Sequence, residues 1–592
     1  MRNDGIPRAR VLGPEVEMCY PFTPLKETAL EAGALLRMRA HPLILPVAGF
    51  LTFWLAFNAW AQSNARVMAS AAPGQYFVRK EYSPHPLPKF SDLRDQLPSP
   101  IYDENPDWVR MHWKAWELAF NNFHEPASGS GFVSQFIDAA FNQNIFLWDT
   151  CFMTMFCNVA HPLVPGIGSL DNFYAKQHAD GEICREIGRA TGRDYAEWVN
   201  REGKGLFSRW GWNAAPNAPV IYRGRAAPQP PPLLTLDALN HPIFAWAELE
   251  SYRMTGDVER LNLVYEPLLH YYRALEKYLQ QGNGLFMTDW ASMDNSPRNQ
   301  FLKNGGCGVD ISCQMVLFAR HLAEIARVLG KAGEARALER EAERVKELIN
   351  ERMWDDQRRF YFDLTQDDGH APVKTIAAYW ALLAKVATPS QARALVAELQ
   401  NPKTFARLHC PPTLAADEKD FDPGGGYWRG AVWAPTTTLV IRGLENYGYD
   451  GLAREIALNH LTNIGRVFLE TGTLWENYAP DSAKPGKPAK QDFVGWSGIG
   501  PILYLLEYGI GLKPNAPGNE LVWDLRSTAR HGCERFRFNG HVVSLTAAPA
   551  AEDPRKVTIR VKSDGAFKLR LAHDGQSKRI QVRRGEQTIV LP

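Results

Sequence analysis

Apolar residues recur at three-to-four spacing, with charged residues on the opposite face, in "DWVRMHWKAWELAFNNF", "HPIFAWAELESYRMTGD", "VERLNLVYEPLLHYYRALEKYLQ" and "GVDISCQMVLFARHLAEIARVLG". The same spacing returns in "EARALEREAERVKELINERMW", "TIAAYWALLAKV", "QARALVAELQ" and "GLAREIALNHLTNIGRVFLE". This is the period of amphipathic helices. The segments pair off, and each pair is followed by a loop rich in Gly, Pro, Trp and Asp. The intervals are roughly 40 to 70 residues, as expected of helical hairpins set around a ring. The pattern predicts a mainly α chain with one α/α toroid over residues 107–512. After "GIGLKPNAPGNE" the period changes to two, in "ERFRFNGHVVSLTA" and "RKVTIRVKSDGAFKLRLAHDGQSKRIQVRRGEQTIVL". Residues 519–592 therefore read as a small antiparallel, β-sandwich-like domain, with Asp564-Gly565 and Asp574-Gly575 as hairpin turns.

A hydrophobic run over 42–57 stands apart from both patterns. It follows a short basic stretch and precedes Ala59-Trp60-Ala61, a small-x-small signature that places signal-peptide cleavage near 61/62. The expected product is periplasmic or secreted, without stable membrane insertion once cleaved, and residues 62–106 form an extended lead-in. With 66 basic and 65 acidic residues the formal charge is +1, which excludes the basic field of a nucleic-acid binder. Seven of the eight cysteines follow the cleavage site. An odd number without metal-type clustering rules out a disulfide framework.

Of the 18 tryptophans, many lie in Gly- or Pro-rich loops, where an indole can stack on the apolar face of a pyranose. Four loops gather such residues with carboxylates. "FLWDTCFM" places Trp148 and Asp149 at a helix start, where an aspartate also serves as a cap. "DNFYAKQHADGEICREI" supplies Gln177, Asp180, Arg185 and Glu186. "DWASMDNSPRNQ" holds Trp290 and Asp294 in an irregular turn. "GGGYWRGAVW" and "GTLWENYAP" supply Tyr427, Trp428, Arg429, Trp433, Glu476 and Asn477, followed by Trp496 in "FVGWSG".

The ordered set W-D-T, "MDNSPR", "YWRGAVW", "WENYAP" and "FVGWSG" resembles the catalytic module of glycoside hydrolase family 63 and its mannosylglycerate-hydrolase-like and trehalase-like relatives. The resemblance spans residues 107–512. It implies an (α/α)6 toroid that hydrolyses α-glycosidic bonds with inversion, Asp294 falling on the general acid and Glu476 on the general base. Trp148, Asp149, Trp428 and Arg429 fall on positions lining the sugar subsite. Ser292 stands where the family has a glycine two residues before the acid.

The chemistry of the residues agrees. Inversion needs one carboxyl to protonate the departing oxygen and a second, ~6.5 to 9.5 Å away, to activate water on the opposite ring face. Trp290 and Met293 can desolvate Asp294, Asn477 and Tyr478 can hold the Glu476 carboxylate or its water, and Arg429 can bind hydroxyls or an anion. Two alternatives stay open: a polysaccharide lyase on the same toroid, using His178 or His241, and a non-catalytic sugar-binding protein. No cofactor or catalytic metal is expected. The oxygens of "DNFYAKQHADGE" leave room for a structural calcium ion, and the partner is an oligosaccharide or small glycoside.

Overall fold

The computed structural model describes residues 74–78, 80–139, 142–194, 199–200, 233–234, 241–288, 293–302, 306–553, 556–573 and 576–591. The leader, its cleavage site, Trp290 and the Asp574-Gly575 turn lie outside them.

Among the described residues, twelve helical segments alternate between an outer and an inner ring. The outer ones are α1 (Pro106–Phe120), α3 (Asp171–Tyr174), α5 (Val258–Leu279), α7 (Ala332–Arg352), α9 (Pro389–Leu399) and α11 (Asp450–Thr471). The inner ones are α2 (Leu147–Cys157), α4 (Phe244–Thr255), α6 (Val309–Val328), α8 (Trp380–Leu383), α10 (Ala434–Glu445) and α12 (Ile499–Ile510). Composition decides the ring. Ten of the 11 residues of α2 are buried, against five of the 21 in the strongly charged α7, so α2 needs protein on every side and α7 needs it on one stripe. Thr438 on α10 and Tyr504 on α12 share a hydrogen bond of 2.6 Å, and α1 packs on α12, so the last hairpin closes on the first.

Local signals set the helix ends. Asn105 and Asp257 accept from backbone N–H groups at the starts of α1 and α5, Thr388 and Gln391 form a capping box on α9, and Gly256 and Gly472 end α4 and α11 in the left-handed region. The segment "TIAAYWALLAKV" is less helical than its periodicity suggests: a 3-10 turn at Ile376–Tyr379 leads into only four α-helical residues.

The β region departs from its expected boundaries. It begins at 512, with strands β2 (Leu512–Asn515) and β3 (Glu520–Asp524), and it takes β1 (Ser99–Tyr102) from the lead-in. One sheet runs β1, β4 (His531–Phe538), β5 (His541–Pro549), β6 (Val557–Ser563), β9 (Gly585–Leu591); the other runs β2, β3, β7 (Phe567–His573), β8 (Gln576–Val582). All pairs are antiparallel except β3 with β7. Asp564-Gly565 is a crossover between sheets, not a hairpin, because β6 and β7 pair with different partners. The tight hairpin is Asn539-Gly540, with φ of 48° and 74° between the paired Phe538 and His541, the mirror-image turn that Asn-Gly favours. Phe538 and Phe567 meet edge to face across the sheets at 5.2 Å, and the Asn539 amide bonds the Met254 carbonyl at the C-terminal end of α4. The β region thus seats on the end of the ring opposite the inner-helix N-termini.

Candidate active site

Alternation of outer and inner helices makes every inner helix run the same way, so the outer-to-inner loops gather at one end, over the inner N-termini. These loops carry Arg185, Asp294, Tyr427 and Glu476, while Trp148 and Asp149 open α2.

Glu476 is 5% exposed. The Tyr427 hydroxyl donates to its Oε1 at 3.1 Å and the Lys490 amide to its Oε2 at 3.0 Å. Its backbone is pinned as well: its N–H bonds the Lys490 carbonyl, and its carbonyl accepts from the Trp496 indole at 2.9 Å and from Ser497. Burial pushes the carboxyl up to about 7, the two donated bonds pull it down, and the charge of Asp294 raises it again. The Asp294 side chain reaches solvent in the cleft yet is enclosed by protein around its base. That desolvation pushes it up to about 6, against the pull of Arg185 and with a push from Glu186. Asp149 is buried, its carboxyl driven well above the carboxylate range by burial and by Asp138 and Glu186, and its Oδ1 has no partner. It is the third residue of α2 and does not cap it. Arg185 acts on both Asp149 and Asp294 and pairs with Glu186, so these four titratable groups lie close together.

The aromatic residues form the floor. Trp428 stacks on Trp433 at 4.4 Å and 7°, Tyr427 meets Trp433 edge-on at 4.9 Å, and Trp496 lies 5.5 Å from Trp433. Trp433 is 1% exposed, a support and not a stacking platform. Half-buried Trp148 packs on His241 at 4.6 Å, close to Trp380. Arg429 is exposed at the rim, 3.8 Å from Asp422.

Two expected residues are not brought to the carboxylates. Gln177 is buried, its amide donating to the carbonyls of Gly181 and Pro267 at 2.9 Å each. Asn477, next to Glu476, is fully buried and donates to the Pro488 carbonyl at 3.1 Å. Neither side chain bonds the Glu476 carboxylate. Of the two histidines, His178 pairs with Asp194 at 2.5 Å and buried His241 bonds Gln314 at 2.6 Å.

Sequence reasoning passed over Asn295 and Arg298, although both stand inside "MDNSPR". Arg298 is fully buried and forks onto Asp363 at 2.6 and 2.7 Å and onto Asp310 at 2.5 and 3.0 Å. It thereby anchors the Asp294 loop to the start of α6. An arginine four residues after an aspartate in a proline turn was the available signal. Lys490, whose amide holds Glu476, lies in a Lys- and Pro-rich stretch that reads as plain surface.

Among the described residues no group of three or more His, Cys, Asp or Glu is placed to hold a metal ion. A cavity of ≈ 400 Å³ lies at the C-terminal ends of the inner helices, between Trp246, Glu250, Arg442 and Glu507. None of the expected site residues lines it.

The fold is an (α/α)6 toroid, and the family match gives its class as glycoside hydrolase. Residues 225–497 match the mannosylglycerate hydrolase MGH1-like glycoside hydrolase domain. An uncharacterized protein of Borreliella burgdorferi is 26% identical over 320 residues, 52% of this chain and 67% of that protein. The mannosylglycerate hydrolase of Rubrobacter radiotolerans is 36% identical over 137 residues, 22% of this chain and 30% of that enzyme. The chain thus spans under a third of the length of that curated hydrolase. The crystal structure of an uncharacterized conserved protein from Thermus thermophilus superposes with a TM-score of 0.50 at 19% identity, covering 66% of this chain and 99% of its own, a likeness of fold. The family match falls on hydrolases, which sets the lyase alternative aside.

Proposed function

We propose that the protein is exported and hydrolyses an α-glycosidic bond with inversion, Asp294 acting as general acid and Glu476 as general base. The observation that carries this reading is the convergence of two carboxyls from separate loops on one cleft, electrostatically coupled and raised to about 6 and about 7. Asp294 donates its proton to the departing oxygen as the C–O bond breaks. Glu476, aimed by Tyr427 and the Lys490 amide, takes a proton from the water that attacks the anomeric carbon from the opposite face. In the free enzyme these values favour the shared proton on Glu476. A glycosidic oxygen at Asp294 is an acceptor and a water at Glu476 is a donor, so bound substrate favours the productive arrangement. Asp149, with its unpartnered oxygen, takes hydroxyls of the sugar cleaved, and Trp428 and Trp148 border its ring.

The substrate class follows from the mannosylglycerate hydrolase relative and from the exposed Arg429: an α-glycoside whose leaving part carries a carboxylate. Proton NMR of residues 62–592 with α-linked mannosides, glucosides, galactosides and rhamnosides, with and without an anionic aglycone, tests both points. Initial release of the β-anomer, fastest from the anionic glycosides, is expected. A retained α-anomer overturns the assignment of Asp294 and Glu476.

A further inference from the structure

We propose that Asn295 is a positioning residue that ties the acid loop to the base. This inference rests on the proposed roles of Asp294 and Glu476. Asn295 directly follows Asp294, and its side chain spans to the neighbouring loop with both ends of the amide. Nδ2 donates to the Gly426 carbonyl at 3.0 Å, and Oδ1 accepts from the Trp428 amide at 2.9 Å. Donor faces acceptor at both contacts, so the amide orientation is fixed by its partners. The residue enclosed between these two bonds is Tyr427, whose hydroxyl holds Glu476.

The backbone there requires such a clamp. Gly425, Gly426 and Tyr427 have successive φ values of 110°, 52° and 63°. Glycine adopts these freely, but a tyrosine at +63° is strained and persists only where its surroundings over-determine it. Asn295 bonds the residue on each side of Tyr427 and so holds the peptide units flanking the strained position. On its own side the acid loop is secured: Asn299 donates to the carbonyls of Met293 and Asp294 at 2.7 and 3.2 Å, and Arg298 roots it in the core. A continuous path therefore runs from Asp294 through the Asn295 amide and Tyr427 to Glu476. It sets the position of Asp294 relative to Glu476 without Asn295 touching substrate.

The test combines hydrogen–deuterium exchange, which needs no turnover, with kinetics on an α-glycoside. In Asn295→Ala, peptides covering 424–432 are expected to exchange faster while the 531–549 hairpin keeps its protection. The kcat is expected to fall ~10²-fold with KM within about threefold, as for a small misplacement of catalytic groups. In a Tyr427→Phe background the same substitution is expected to cost far less, because both act through one path. Unchanged exchange at 424–432, or effects of the two substitutions that multiply in full, overturns the clamp. Asn295→Asp keeps the acceptor for Trp428 and loses the donor to Gly426; it serves where the alanine variant does not fold, and wild-type exchange in it likewise overturns the clamp. Should the wild type cleave no α-glycoside, the catalytic reading falls, and exchange alone decides the clamp.

Discussion

The two ends of the toroid treat buried carboxylates differently: at the end against the β region arginine holds two of three below their ordinary range, and burial keeps Glu507 raised. At the end against the β region, Arg442 reaches Glu507 at 2.8 Å and Glu250 and Glu445 at 3.4 Å each. Burial raises Glu250 and Glu445, but Arg442, with Arg253 and Lys513 beside them, holds both below the ordinary range. Beneath the cleft, Arg298 holds Asp310 below the ordinary range despite complete burial, while burial keeps its second partner Asp363 raised. At the mouth, Asp149, Asp294 and Glu476 stay raised. Neutralised pairs hold a ring of helices together, whereas an acid and a base need carboxyls that exchange protons near neutral pH. A perturbed pKa marks function only where pairing has not cancelled it.

The largest expected effect separates the two ends by activity. Glu476→Gln and Asp294→Asn should each lower kcat/KM by ~10² to 10⁴. The Asp294 variant should recover rate on a glycosyl fluoride, whose leaving group needs no proton; equal loss on both substrates removes Asp294 from the acid role. Stability comes next. Arg298→Met leaves Asp310 and Asp363 buried without a counter-charge and should cost about 3–5 kcal/mol in urea unfolding. Arg442→Met should also destabilise, yet leave kcat/KM unchanged in the folded protein; a large kinetic effect there would break the contrast between the ends.

Smaller effects sharpen it. Asp149→Asn should weaken substrate binding ~10-fold, from one altered hydrogen bond at a buried position, while Glu250→Gln should leave KM alone. The pH profile of kcat/KM should be a narrow bell between about 6 and about 7. The sign follows from the proton count. Below the lower value both carboxyls hold protons and Glu476 cannot act as base; above the upper one both are ionised and Asp294 cannot donate. A broad plateau across neutral pH would show that the two carboxyls are not coupled.

The periodicity of the chain determined the helical hairpins, and the loop motifs determined which carboxylates to watch, because amphipathic spacing and short catalytic stretches are local properties. Asp294, Glu476, Arg185, Asp149 and Trp428 were legible in this way, and the structure gathers them at one end. What lay outside local reach was every pairing between distant segments. Ser99–Tyr102 reads as lead-in, yet it completes a sheet more than 400 residues away because the edge of His531–Phe538 needs hydrogen-bond partners. Gln177 and Asn477 read as polar site residues, but each is drawn under its loop by backbone carbonyls that burial would leave unbonded. Asn295 and Arg298 stand in plain view within one motif, and only the folded ring decided their partners: Gly426 and Trp428 for the amide, Asp310 and Asp363 for the guanidinium. The sequence by itself settled the toroid; tertiary structure decided which side chains face the cleft and which hold it, since facing is set by contacts between residues that periodicity cannot relate.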